Sequence, residues 1–121
     1  MAAYQVYGIK NCTTVKNALA QLDASGADYE FTDFKKAGVD ESLLRDWIAQ
    51  AGLAKILNKN SLTWRRLSPD EQASADTLDG AVALMTAKPN LIKRPILQHT
   101  DGLIVGFDKA AYQQLLSLIH I

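Results

Sequence analysis

The chain reads as an α/β domain built on a four-stranded mixed β-sheet, with flanking helices and a helical insertion. Three observations carry that reading. The start of the chain alternates strand and helix periodicity as β-α-β, the end gives a hairpin signal followed by a helix, and the stretch at about 53–90 holds only helical patterning. A β-α-β unit pairs its strands in parallel and a hairpin pairs them antiparallel, so a sheet containing both is mixed.

Tyr4, Val6 and Tyr7 suit a buried strand, and Gly8 to Asn11 supply turn chemistry. Val15, Ala18, Leu19 and Leu22 recur at i, i+3, i+4 and i+7 as one helical face, which should stop near Gly26, a residue able to take the left-handed conformation that ends helices. Tyr29 and Phe31 alternate with Glu30 and Thr32 as a second strand with one face buried. Asp40 is a good cap for a second helix, whose stripe of Leu43, Leu44, Trp47, Ile48 and Ala51 ends at Gly52. Trp47 is expected in the core.

Leu53 to Leu67 predicts short helical turns around Asn58, Lys59 and Asn60, and Ser68-Pro69-Asp70-Glu71 combines a capping box with proline at the first helical position. A further helix begins near Asp76 or Thr77, buries Leu78, Ala81, Val82 and Met85, and stops before Pro89, because proline restricts the residue ahead of it. Pro95 has no backbone donor and belongs at the start of a strand or on an edge. Ile96 and Leu97, an Asp101-Gly102 turn and Leu103 to Val105 then form a hairpin. Asp108 caps a last helix with Tyr112, Leu115, Leu116 and Ile119 on one face.

The 121 residues suffice for one domain, 1–121, that buries a core without disulfides or metals. A 48% hydrophobic count, 21% charge and no apolar run approaching the roughly 18 residues of a membrane helix exclude membrane and disordered classes. Thirteen basic residues balance thirteen acidic ones, which argues against bulk electrostatic binding to nucleic acid. The start, Met-Ala-Ala-Tyr, lacks a basic region followed by an apolar stretch, so no signal peptide is expected and the cytoplasm is the expected location. A monomer is the expected state. His99 lies beside the hairpin turn and His120 near the end; neither has a partner at ligand spacing, so both are expected to be exposed, with no metal site and no bound cofactor.

The one cysteine, Cys12, falls at the N-terminus of the first helix, after a strand and between Lys10 and Lys16. Unpaired N–H groups, the positive end of the helix dipole and the lysine charges there favour thiolate over thiol. A lone cysteine is elsewhere often a small buried hydrophobe, and this placement is what favours a reactive one. No second cysteine completes a Cys-x-x-Cys pattern; Thr13, Thr14 and Val15 follow instead. A single thiol needs an external one to resolve its mixed disulfide, which points to glutathione or a glutaredoxin as partner.

The order β-α-β-α, helical insert, β-β-α is that of a thioredoxin-like domain. Tyr-Gly-Ile-Lys-Asn-Cys ending at Cys12, Leu-Asn-Lys-Asn around Asn58, and Ile-Lys-Arg-Pro-Ile around Arg94 together resemble the arsenate reductase (ArsC) family, especially its YffB/Spx-type branch. Thr63 to Leu67 also resembles YffB-like members, and the similarity covers nearly the whole chain. By itself Arg94 would read as a solvated charge and Pro95 as a trans proline. The resemblance implies instead that Cys12 is the nucleophile, that Arg94 lies beside it to hold an oxyanion or the thiolate, and that the Arg94-Pro95 peptide is cis and opposite the cysteine. The fixed donor fork and permanent charge of arginine suit such a role. Lys10, Asn11, Asn58 and Pro95 are the candidate substrate-binding residues.

Two departures stand out. Reductases of the family use three arginines around the cysteine, whereas the matching positions here are Asn58, Arg94 and Phe107. Asn58 either donates a neutral hydrogen bond or caps a turn. Arg65 and Arg66 either replace the missing charge or form a solvated face. The expected function is a cytoplasmic thiol-dependent oxidoreductase acting on a small oxyanion or disulfide, with glutathione as co-substrate. The alternatives are a true glutathione-dependent arsenate reductase and a Spx-like redox regulator that binds RNA polymerase; the missing Cys-x-x-Cys argues against the sensor but not against a protein-binding role.

Overall fold

A computed structural model describes residues 2–118. The expected positions of Ile119 and His120 lie outside the described residues. In chain order the elements are β1 (Tyr4–Gly8), α1 (Thr13–Ala24), β2 (Tyr29–Asp33), α2 (Phe34–Ala37), α3 (Glu41–Ala51), α4 (Leu53–Ile56), α5 (Leu62–Arg65), α6 (Pro69–Ser74), α7 (Leu78–Ala87), a 3-10 turn (Pro89–Leu91), β3 (Ile96–His99), β4 (Gly102–Val105) and α8 (Lys109–Leu118). They fall into two compact units, Met1–Phe34 with Arg94–Ile121, and Lys35–Lys93.

The first unit holds the sheet, in the order β2-β1-β3-β4. β1 and β2 pair in parallel from Tyr4↔Tyr29 to Gly8↔Asp33, while β3 runs antiparallel to both β1, with Val6 opposite Leu97, and β4. The mixed sheet expected from one β-α-β unit plus one hairpin is therefore present. Strand alternation buries Tyr4, Val6 and Leu97 on one face, where Ala18 and Leu22 of α1 and Tyr112 and Leu116 of α8 close the core. Each large side chain so buried contributes about 1.5–3 kcal/mol relative to an exposed one. Tyr7 points the other way and is half-buried rather than buried. α1 stops where expected. Gly26 takes a φ of 72°, and the N–H groups of Gly26 and Ala27 donate to the carbonyls of Asp23 and Leu22, each at 3.1 Å.

The second unit is helical. Asp40 caps α3 by accepting the Leu43 N–H at 3.1 Å, and Leu44, Trp47 and Ile48 are buried. Within this unit α3 packs with α4 and α7, and Arg45 bridges Glu41 at 3.1 Å and Asp79 at 2.9 Å. The capping box forms with both arms: Ser68 Oγ accepts from the Glu71 N–H at 3.1 Å, and Glu71 Oε1 accepts from the Ser68 N–H at 3.0 Å.

Three local expectations change. Leu78 is 48% exposed instead of buried. It opens α7, and because helical side chains lean toward the N-terminus it has no preceding turn to cover. The strands of the hairpin pair as far as His99↔Gly102, so the turn is Thr100-Asp101, one residue earlier than expected. His99 is half-buried rather than exposed, its Nδ1 accepting the Asp101 N–H at 3.3 Å. Among the described residues no helix is long and apolar enough to cross a membrane.

Candidate functional site

The site is built where β1 turns into α1. After Gly8 the chain closes a tight turn, with the Cys12 N–H donating to the Ile9 carbonyl at 3.1 Å, and α1 starts when the Lys16 N–H donates to the Cys12 carbonyl at 2.9 Å. Cys12 is thus the N-cap of α1, in extended conformation (φ −94°, ψ 125°) and half-exposed. Asp33, at the end of β2 and opposite Gly8 in register, accepts the Lys10 N–H on Oδ2 at 3.3 Å and ties this turn to the sheet.

Arg94 comes from the far end of the chain. The antiparallel register of β1 with β3 pairs Tyr7 with Ile96, and one step further brings Pro95 alongside Gly8. The Arg94-Pro95 peptide is cis, Pro95 is buried, and its carbonyl accepts the Gly106 N–H at 2.8 Å. Burial alone pushes the Cys12 thiol up, but the Val15 N–H, a hydrogen bond from Arg94, the Thr14 N–H and the Arg94 charge together hold it below the ordinary thiol value. The sulfur makes no conventional cap hydrogen bond, so these N–H groups act chiefly as oriented dipoles. Lys10 and Lys16, expected to supply charge, are exposed and are not among the groups that lower the thiol.

Gly8 escaped the sequence reading except as a turn residue. A Cβ on it would stand 2.9 Å from Val15 Cγ2 and 3.8 Å from Arg94 Cβ. The missing side chain is what lets α1 and Arg94 lie close to β1. Gly8→Ala is expected to lower unfolding stability by about 1–3 kcal/mol, the usual cost of overpacking, because Val15 is fully buried and cannot retreat. A urea melt unchanged from the parent protein would contradict this.

A profile of the ArsC family matches residues 7–115. The chain belongs to the ArsC family. A solved YFFB protein is 39% identical with a TM-score of 0.87, the match covering 93% of this chain and 98% of that one. An arsenate reductase (ArsC) related protein from Brucella melitensis is 37% identical with a TM-score of 0.72, over 93% and 92% of the two chains. The fold is thioredoxin-like, and a glutaredoxin from Archaeoglobus fulgidus, 16% identical over 100% of this chain and 89% of its own, shares it at a TM-score of 0.53.

In this ArsC-family chain the first unit brings Cys12 and Arg94 together, Pro95 follows Arg94 through the cis peptide, and Lys10 and Asn11 are exposed on the turn before the cysteine. Asn58 belongs to the second unit, where its Oδ1 accepts the Asn60 N–H at 3.1 Å and its carbonyl accepts from Ser61 Oγ at 3.0 Å, the geometry of a side chain that shapes a turn. Phe107 packs edge-on to Tyr112, with ring centroids 5.1 Å apart, at the margin of the sheet core. Arg65 and Arg66 are exposed. No group of three or more potential metal ligands is assembled among the described residues.

Proposed function

We propose that the protein is a cytoplasmic thiol oxidoreductase in which Cys12 attacks a disulfide or a small oxyanion, and glutathione, acting directly or through a glutaredoxin, completes the cycle. ArsC-family membership supports thiol oxidoreductase chemistry. The observation that carries the reading is the Cys12 thiol held low by a helix N-terminus and Arg94. On a disulfide substrate the Cys12 thiolate attacks one sulfur, the S–S bond breaks, and the departing thiolate takes a proton. One glutathione thiolate then attacks the Cys12 sulfur and frees the second half of the substrate. A second attacks the glutathionyl sulfur, restoring Cys12 and leaving as oxidised glutathione, so two glutathione thiols supply the two electrons. Arg94 would stabilise the Cys12 thiolate both as attacking and as leaving group.

Brief exposure to oxidised glutathione is expected to add a single glutathionyl group, mapped to Cys12 by mass spectrometry and removed by reduced glutathione with glutaredoxin. Cys12→Ser should take up none. A chain that stays unmodified, or an adduct that glutathione cannot remove, would refute the coupling.

A further inference from the structure

We infer that the second unit carries a docking surface for an acidic segment of a partner protein, formed by Lys55, Lys59, Leu62, Arg65, Arg66 and Lys93. Between Asp46 and Asp70 the chain contains no acidic residue, yet Lys55, Lys59, Arg65 and Arg66 all lie there. A fifth cation joins them through the backbone. The Lys93 N–H donates to the Ile56 carbonyl at 2.7 Å, the Asn58 N–H donates to the Leu91 carbonyl at 2.8 Å, and Leu57 bridges Ile92, so Lys93 runs alongside the Lys55 to Lys59 segment.

All five cations are exposed, and none takes part in an ion pair among the described residues, whereas Arg45 in the same unit is paired twice. Lys59 is held by a ring instead, its Nζ 5.2 Å from the centroid of Trp64. Like charges gathered without counterions repel and do nothing for folding. Leu62 is 58% exposed among them. An exposed leucine one helical turn from Arg65 and Arg66 and three residues from Lys59 is the complement of an acidic segment that carries an apolar side chain.

A protein fits this surface better than a nucleic acid does. The chain as a whole is neutral, which leaves no long-range field for a polyanion, and one face of the Trp64 ring is already covered by Lys59 and is closed to base stacking. An aliphatic side chain such as Leu62 finds its complement in an apolar contact rather than in a phosphate. The surface makes no use of Cys12, so its test stands apart from that of the thiol chemistry.

The test titrates the isotope-labelled full chain with a short synthetic peptide of aspartates and glutamates around a central phenylalanine, and in parallel with a single-stranded oligonucleotide of equal charge. Amide shifts are expected at Lys55 to Leu67 and at Lys93. Affinity should fall with added salt, and by roughly tenfold or more in Lys59→Glu with Arg65→Glu and Arg66→Glu. Leu62→Ser should weaken it without changing the salt slope, and Lys36→Glu should leave it intact. Peptide binding that survives the triple charge reversal, tighter binding of the oligonucleotide, or no binding of the peptide would each overturn the assignment. Circular dichroism of each variant, all at exposed positions, checks that the fold is kept.

Discussion

Arsenate is expected to be a poor substrate of this protein even where glutathionylation of Cys12 is fast. A thiolate approaches arsenic only after the negative oxygens are neutralised, and the family resemblance leads one to expect three arginines for that task. At the three matching positions only Arg94 is an arginine. Asn58 is neutral and its Oδ1 is taken up by the Asn60 N–H, and Phe107 is a ring packed on Tyr112. Each missing charge-assisted contact is worth about 1.5–3 kcal/mol, so two amount to roughly a hundred- to ten-thousand-fold in turnover. Attack on a disulfide sulfur makes no such demand, since the centre carries no net charge.

Asn58→Arg is the cleaner restoration, because that side chain holds only a turn, whereas Phe107→Arg would also remove a ring from the core margin. Because the family resemblance matches Asn58 to one of the three arginine positions, the single change should raise arsenate turnover and leave the glutathione adduct unaffected. If the unmodified protein reduces arsenate efficiently with glutathione and glutaredoxin, and Arg65→Ala with Arg66→Ala does not abolish this, the charge deficit is irrelevant and arsenate reduction becomes the principal activity.

Arg94→Ala is expected to slow alkylation of Cys12 near neutral pH by about tenfold, taking the lower end of a charge-assisted hydrogen bond because the site is open to water. The sign follows from the thiol. Cys12 is held below the ordinary thiol value, so at any pH below that value a larger share of it is the reactive anion than in a free thiol. Without the guanidinium the burial that pushes the thiol up is opposed only by the N–H groups of Val15 and Thr14, and the titration moves to higher pH. The rate deficit should therefore be largest near neutral pH and shrink once the pH exceeds the titration of both proteins. Arg94→Lys should recover part of the effect, having charge without the fork. Identical rate profiles for the parent and Arg94→Ala would remove Arg94 from the thiolate's support.

Most elements could be read from the sequence because their causes lie within a few residues of one another. The capping box at Ser68, the Asp40 cap, the stop at Gly26 and the apolar stripe of α1 are interactions over three or four positions, and each forms as read. Cys12 at a helix N-terminus belongs with them, since a strand, a turn and a helix in succession place it there. The family could be read for the same reason, from short motifs around Cys12, Asn58 and Arg94.

What local pattern left open, the packing of distant segments decided. Periodicity implied a mixed sheet but not that β3 lies between β1 and β4, and it is this order that lays Pro95 along Gly8 and Arg94 at the sulfur. The closeness of Gly8 to Val15, the hold of Asp33 on the Lys10 N–H and the run of Lys93 beside Ile56 likewise join residues far apart in sequence. Leu78 kept its place in the stripe of α7 and still stayed exposed, because the first turn of a helix has no turn before it to cover. Strand order and register depend on which pairing buries the most apolar surface on the whole sheet, a sum over all elements that no single stretch of chain contains.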